Sequence, residues 1–191
     1  RVRTAGRAAA FANAYPRGWP GERPRRRLAA PPLAARGADL LDRHVEALRE
    51  GRAVASEILN DGWIRHLGHD DLPRVTPEEA GGALARIVAS HDLTLFAHYA
   101  TDVAGHRGGM DGAVAALERV DAFLGGLVRA LPDDATLLVA SDHGNVEDVT
   151  GGHTLNPSLG LLVGPDAARR SAELESIMDV APAVTAWAGA E

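Results

Sequence analysis

Five side chains in the second half of the sequence have the types and spacing to do chemistry together. Asp102 and His106 stand four apart in "TDVAGH", Asp142 and His143 are adjacent in "SDHGNVED", and His153 follows in "GGHT". Carboxylate oxygen with imidazole nitrogen is a donor set for Zn2+ or Mn2+, whereas Ca2+ and Mg2+ prefer oxygen alone. In an extended backbone neighbouring side chains point apart, so Asp142 and His143 would serve two adjacent ions. A turn at this point would bring both to one ion, and the residues alone leave the two arrangements open. Glycines at 105, 108, 109, 144, 151 and 152 let the chain bend around such a site. Taken singly, each of the five has an ordinary reading, as a turn-capping Asp or a core or surface His. The joint reading rests on where they fall in the fold.

The elements around them follow from periodicity. Residues 92–100 read as a strand and 110–131 as an amphipathic helix with Ala116, Val120, Phe123, Leu124 and Leu127 along one side. Residues 135–141 and 159–164 are short apolar runs of the buried-strand type. Strand, long helix, strand predicts a βαβ unit and a parallel sheet. Ligands of such sheets bind beyond the carboxyl ends of the strands. Asp102 and His106 follow the first strand, Asp142 and His143 the second, and His153 lies in the loop to the third. All five therefore map to one sheet edge, and the fold class expected is a three-layer α/β/α sandwich with a mostly parallel central sheet.

Further elements complete the reading. Thr76, Pro77, Glu78 and Glu79 open a helix over 76–91 with an N-cap, a proline in the first turn and two acids at the positive end of the dipole. Residues 38–51 have helical spacing and a closing Gly, and 176–189 read as a final helix with Pro182 in its first turn. Residues 16–37 carry five Pro and read as an irregular loop. Its basic run includes Arg25 and Arg26, which would clamp an anionic substrate or else lie on a solvated loop. His66, His69, Asp70 and Asp71 read as surface or as part of a covering loop, and His98 as a core histidine. The expected organisation is a loop-rich partial layer or cap remnant over 1–75 and a metal-binding α/β core over 76–191.

Composition narrows the function classes. A chain of 191 residues has room for one substantial core, and its net charge of −6 does not suggest a nucleic-acid surface. The absence of Cys removes thiolate catalysis and Cys-ligated zinc. All 20 basic residues are Arg, so a Walker-type phosphate loop and a Schiff-base mechanism, which need Lys, are excluded. No apolar run approaches the roughly 18 residues of a membrane span. No membrane partner is expected, a cytoplasmic location is, and the oligomeric state is left open.

Read in order, "TDVAGH", "SDHGNVED" and "GGHTLNP" resemble the carboxyl-terminal metal-binding half of the alkaline phosphatase superfamily. The resemblance is to the branch of cofactor-independent phosphoglycerate mutase and phosphopentomutase, including small metalloenzyme-domain proteins that share "FANAYP". It is specific over residues 92–165 and weaker over 8–91. It implies two divalent ions, Mn2+ or Zn2+, with Asp102, His106 and His153 on one and Asp142 and His143 on the other. Asn145, Glu147 and Asn156 are read either as groups that orient the imidazoles through hydrogen bonds or as ordinary polar loop residues. In the family, an Asp near the amino terminus completes the second ion site and a Ser or Thr nucleophile is transiently phosphorylated. Neither has a counterpart before residue 92, so the chain is expected to be incomplete at its amino terminus, to lack that nucleophile-bearing part and to turn over poorly alone. Ser141 and Thr154 flank the site without being read as nucleophiles. The implied function is metal-dependent phosphoryl transfer, of phosphomutase or phosphatase type, on a small phosphorylated substrate. A non-catalytic metal-binding or interaction domain and a phosphodiesterase- or sulfatase-type hydrolase remain the alternatives.

Overall fold

The T-P-E-E run that predicts a helix start makes one. In the computed structural model, which describes residues 1–21 and 28–190, Glu79 N donates to Thr76 Oγ1 at 3.2 Å and Thr76 N donates to Glu79 Oε2 at 2.7 Å. This reciprocal cap satisfies two of the helix's orphan donors. The elements in chain order are β1 (Ala9–Phe11), α1 (Ala30–Gly37), α2 (Val45–Arg49), α3 (Asp61–Leu67), α4 (Pro77–Val88), β2 (Leu93–Leu95), α5 (Ala100–Arg107), α6 (Gly109–Ala130), β3 (Leu137–Ala140), β4 (Gly160–Val163), α7 (Ala167–Ser171) and α8 (Ile177–Trp187).

The core lies where α4 crosses α6. Ala80, Ala83, Leu84 and Ile87 of α4 pack with Phe123 and Leu127 of α6, and Val120 and Leu124 close its edge, as the helical periodicity predicts. The two helices approach backbone to backbone. A Cβ on Gly81 would run into the Phe123 carbonyl oxygen, and one on Gly126 into that of Glu78. Ala10 and Ala12 bring β1 onto the same cluster, Val54 and Ile58 join it, and the Phe96 ring lies 5.2 Å from that of Phe123. A second cluster of Leu48, Trp63 and Leu72 fills the space beneath α2 and α3.

The sheets are smaller than the sequence suggests. β1 pairs with β2 in parallel, Ala9 opposite Leu93 and Phe11 opposite Leu95, so a strand of the core sits in the stretch read as loop-rich. β3 pairs with β4 antiparallel, Leu137 opposite Val163 and Ala140 opposite Gly160. The expected mostly parallel sheet is therefore not seen among the described residues: β4 runs antiparallel to β3, and β2 and β3, the strands of the expected βαβ unit, pair with β1 and β4 and not with each other. A parallel return needs a crossover of a dozen or more residues, usually a helix. Residues 141–159 hold no helix and double back on themselves through a bridge between Gly144 and Thr154.

Three helices also depart from the expectation. α1 lies inside the stretch read as irregular, because Pro31 and Pro32 fall in its first turn, where a missing N–H costs nothing. Only Val45–Arg49 of the 38–51 pattern is helical. α8 begins after a Ser176–Asp179 capping box, which leaves Pro182 inside the helix and beyond its first turn. Among the described residues no helix is long and apolar enough to cross a membrane.

Candidate metal centre

Asp102 and His106 do not sit on a loop. They lie one turn apart on α5, a short helix between β2 and α6, and spacing of four puts both on one helix face. His106 Nε2 stands 3.4 Å from Asp102 Oδ1. α5 has no side-chain N-cap, and Gly105 is its one buried residue.

The other three residues come from the doubled-back loop. Thr154 N donates to the Gly144 carbonyl at 2.9 Å, pinching the loop so that His143 and His153 stack, ring centres 3.7 Å apart. His153 Nε2 lies 3.3 Å from Asp102 Oδ1 and His143 Nε2 lies 3.9 Å from it. The turn at Asp142 brings its carboxylate to 3.6 Å from His143 Nε2, although the Asp142 side chain is 82% exposed. Extended geometry, with the two side chains pointing apart, does not apply here. The His143 Nδ1–H donates to the Gly144 carbonyl at 3.3 Å, which leaves the Nε2 lone pair facing the carboxylates.

The donor set fits a divalent ion. Two donors bonded at 2.0–2.2 Å to one tetrahedral ion stand roughly 3.3–3.6 Å apart. The His106–Asp102 and His153–Asp102 separations fall in that range, as does His143–Asp142. One donor atom from each of Asp102, His106 and His153 lies within 4.8 Å of the others. His143 is the outlier with respect to Asp102 and stands closer to Asp142.

Asn145, Glu147 and Asn156 all lie at the centre, but among the described residues none hydrogen-bonds an imidazole. Asn145 is buried and its Nδ2 donates to Asp102 Oδ1 at 2.9 Å. Its amide presses so closely on α5 that a Cβ on Gly105 would overlap Asn145 Oδ1, an oxygen left without a donor. Glu147 staples the loop. Its Oε2 accepts from Asn145 N at 2.7 Å, and its Oε1 accepts from Thr154 Oγ1 and from Asn156 Nδ2 at 3.1 Å. The Thr154 hydroxyl above all, and then the backbone and Asn156 donors, hold the exposed Glu147 carboxyl down at about 2. Ser141 Oγ donates to the His143 carbonyl at 2.8 Å. Both hydroxyls that flank the site are thus engaged in holding its loop. Beside Asp142, burial first, then the Tyr15 phenol and the Asp142 charge push the Tyr99 phenol well above its usual range.

The remaining sequence candidates lie elsewhere. Asp71 pairs with Arg49 and the His69 ring rests 5.6 Å from Trp63, so these two members of the 64–71 cluster are engaged locally. His98 Nδ1–H donates to the Ser56 carbonyl at 2.8 Å, and burial lowers its basicity. Arg25 and Arg26, the expected anion clamp, lie outside the described residues. The Asn145–Asp102 bond and the close approach at Gly105 had no sequence signal, since they join segments 40 or more residues apart.

Comparison with known proteins bears on this centre. A family model described as "Metalloenzyme superfamily" matches residues 73–190. A protein of Desulforudis audaxviator named 2,3-bisphosphoglycerate-independent phosphoglycerate mutase is 35% identical over 124 residues, 61% of this chain and 24% of its own length. Proteins of the same name from Cereibacter sphaeroides (strain ATCC 17029 / ATH 2.4.9) and Ruegeria sp. (strain TM1040) are 36% and 34% identical over 154 and 161 residues. Those alignments cover 73% and 76% of this chain and 30% and 31% of the relatives. The chain thus spans about a quarter to a third of the length of these relatives. No solved structure matches it.

Proposed function

The chain belongs to the Metalloenzyme superfamily, and from that premise we propose that it carries the divalent-metal centre of a phosphomutase-type phosphoryl-transfer enzyme. One observation carries the reading: Asp102 Oδ1 has three imidazole Nε2 atoms within 3.9 Å, brought from a helix and from a loop some 40 residues away. Asp102, His106 and His153 hold one ion, and Asp142 and His143 contribute to a second. Carboxylate with imidazole suits Mn2+ or Zn2+. When bound, the pair supplies positive charge to the phosphoryl oxygens and to the attacking oxygen of an in-line displacement.

The chain's own residues prepare the site. Asn145 fixes the rotamer of Asp102, the Gly144 carbonyl fixes the tautomer of His143, and Glu147 holds the loop that carries His143 and His153. The substrate class is a small phosphorylated molecule, and isomerisation is favoured over hydrolysis because the relatives are named as mutases. Ser141 and Thr154 both donate hydrogen bonds that hold the loop, and neither is assigned as the attacking hydroxyl of such a cycle. We read the two short sheets as parts of one three-layer α/β/α sandwich. Leu137 of β3 and Phe96, just past β2, touch the same apolar cluster, which supports this.

The test is metal retention. After loading with Mn2+ or Zn2+ and desalting, elemental analysis of the wild-type chain should find bound ion. Asp102→Ala and His153→Ala should each lower metal affinity by more than about a hundredfold, beyond the 10–100-fold typical of losing a group that merely orients a ligand. Equal metal content in all three proteins would remove the assignment.

A further inference from the structure

We propose that Asn13, in the "FANAYP" run, is a positioning residue that fixes the path of the chain from β2 into α5 and so places Asp102 and His106. Residues of β1 pair with those of β2 at a constant offset: Ala9 with Leu93, Ala10 with Thr94, Phe11 with Leu95. Ala12 N still donates to Leu95 O at 2.8 Å, and two positions beyond Phe11 the same register sets Asn13 opposite Ala97. At this point the backbone of β1 turns its hydrogen bonds elsewhere, Val54 N donating to Ala12 O and Ala14 N donating to Val54 O. The side chain of Asn13 takes over the ladder. Ala97 N donates to Asn13 Oδ1 at 2.8 Å, and Asn13 Nδ2 donates to Ala97 O at 2.7 Å, with Ser56 Oγ a further acceptor at 3.2 Å. A side-chain amide has the same donor and acceptor as a peptide unit, so it can extend a sheet that the backbone has left.

The side chain is fully buried, and residues around it are gripped from the other side as well, since His98 bonds the Ser56 carbonyl. α5 begins at Ala100, three residues past Ala97, with no side-chain cap and with Gly105 alone buried. So short and shallow a helix does not fix its own position. The Asn13 clamp holds it upstream, and the Asn145–Asp102 bond holds it downstream. The consequence for metal rests on the function proposed above; the consequence for α5 does not.

The experiment compares Asn13→Ala with Leu84→Ala, a core variant of α4, by hydrogen–deuterium exchange of the whole chain and by Mn2+ titration. Deleting the clamp leaves two buried backbone groups of Ala97 unpaired. Amides of α5 should then exchange of order tenfold faster in Asn13→Ala than α4 and α6 do, and Mn2+ affinity should fall about tenfold or more. Leu84→Ala should speed α4 and α6 at least as much as α5 and keep its Mn2+ affinity. If Asn13→Ala does not fold, Ser56→Ala removes one acceptor only, and a smaller rise confined to α5 is expected. Uniform exchange across α4, α5 and α6, or none in α5, overturns the proposal. A wild-type chain that binds neither Mn2+ nor Zn2+ overturns the metal reading instead, and the exchange pattern then decides Asn13 alone.

Discussion

The α4–α6 region and the region from residue 131 onward are built on opposite terms. In the first, apolar side chains are buried against one another and glycines let two helices meet at their backbones. In the second, no residue of β3, β4, α7 or α8 is buried, although β3, β4 and α8 are largely apolar in sequence. Between residues 131 and 189 only Gly144 and Asn145 are buried, and both belong to the candidate metal centre. Leu131 and Leu137 touch the edge of the core, and polar contacts add to this: Arg170 reaches Thr136 and lies 5.1 Å from the Trp187 ring, and Trp187 Nε1 donates to Glu173 at 2.9 Å. One region stores stability in packing. The other is ordered around a cluster of charges and hydrogen bonds. Substitutions should therefore separate the two, lowering stability in one place and metal affinity in the other.

The largest effect should come from the packed side. Phe123→Ala empties a ring site at the α4–α6 crossing and should cost about 3–5 kcal/mol. Urea denaturation will measure the loss, and Mn2+ affinity of the folded fraction should stay within about twofold of wild type. A parallel loss of affinity would mean that the centre draws on the core and that the two regions form one cooperative unit.

The converse variant is Asn145→Ala. It removes the bond to Asp102 Oδ1, and it also removes the buried oxygen that has no donor, so the deletion leaves little unpaired. Metal affinity should fall by about 10–100-fold, the usual cost of losing a group that orients a ligand. The urea midpoint should hardly move, in contrast with Phe123→Ala. A large drop in stability with unchanged affinity would show that Asn145 anchors α5 for packing and not for the ion.

The same contrast governs how much could be read from the sequence. Period-3.6 burial along 110–131 and the Thr76 cap are local, so α6 and α4 follow from the residues themselves. That five polar residues of these types would lie near one another was legible too, from their order along the chain and the elements between them. Their setting was not. "TDVAGH" opens without a capping side chain, so α5 is held in place by distant partners instead of by its own signals. β1 has three residues, too few for an alternating pattern, and its pairing with β2 spans 84 positions. The antiparallel turn of β4 depends on the Gly144–Thr154 bridge, a contact between loop residues that carry no periodicity.

The smallest effect tests the loop staple, and acid provides it. Donors from Thr154, Asn145 and Asn156 favour the charged form of Glu147, whose carboxyl is held down to about 2, against an ordinary value of about 4.3. A carboxylate with a depressed folded-state value contributes in full above the ordinary range and loses its contribution as pH falls through the lowered one. The staple should therefore persist through pH 4 and open only as pH nears about 2. The Asn145 amide donates directly to Glu147 Oε2, so its NMR chemical shift will report the titration. In Glu147→Gln that step should vanish and metal affinity should drop only several-fold, because the carboxylate is exposed and water competes for its donors. A midpoint at the ordinary value would mean that the staple is not formed in solution. The pinch between Gly144 and Thr154 would then have to hold His143 against His153 alone.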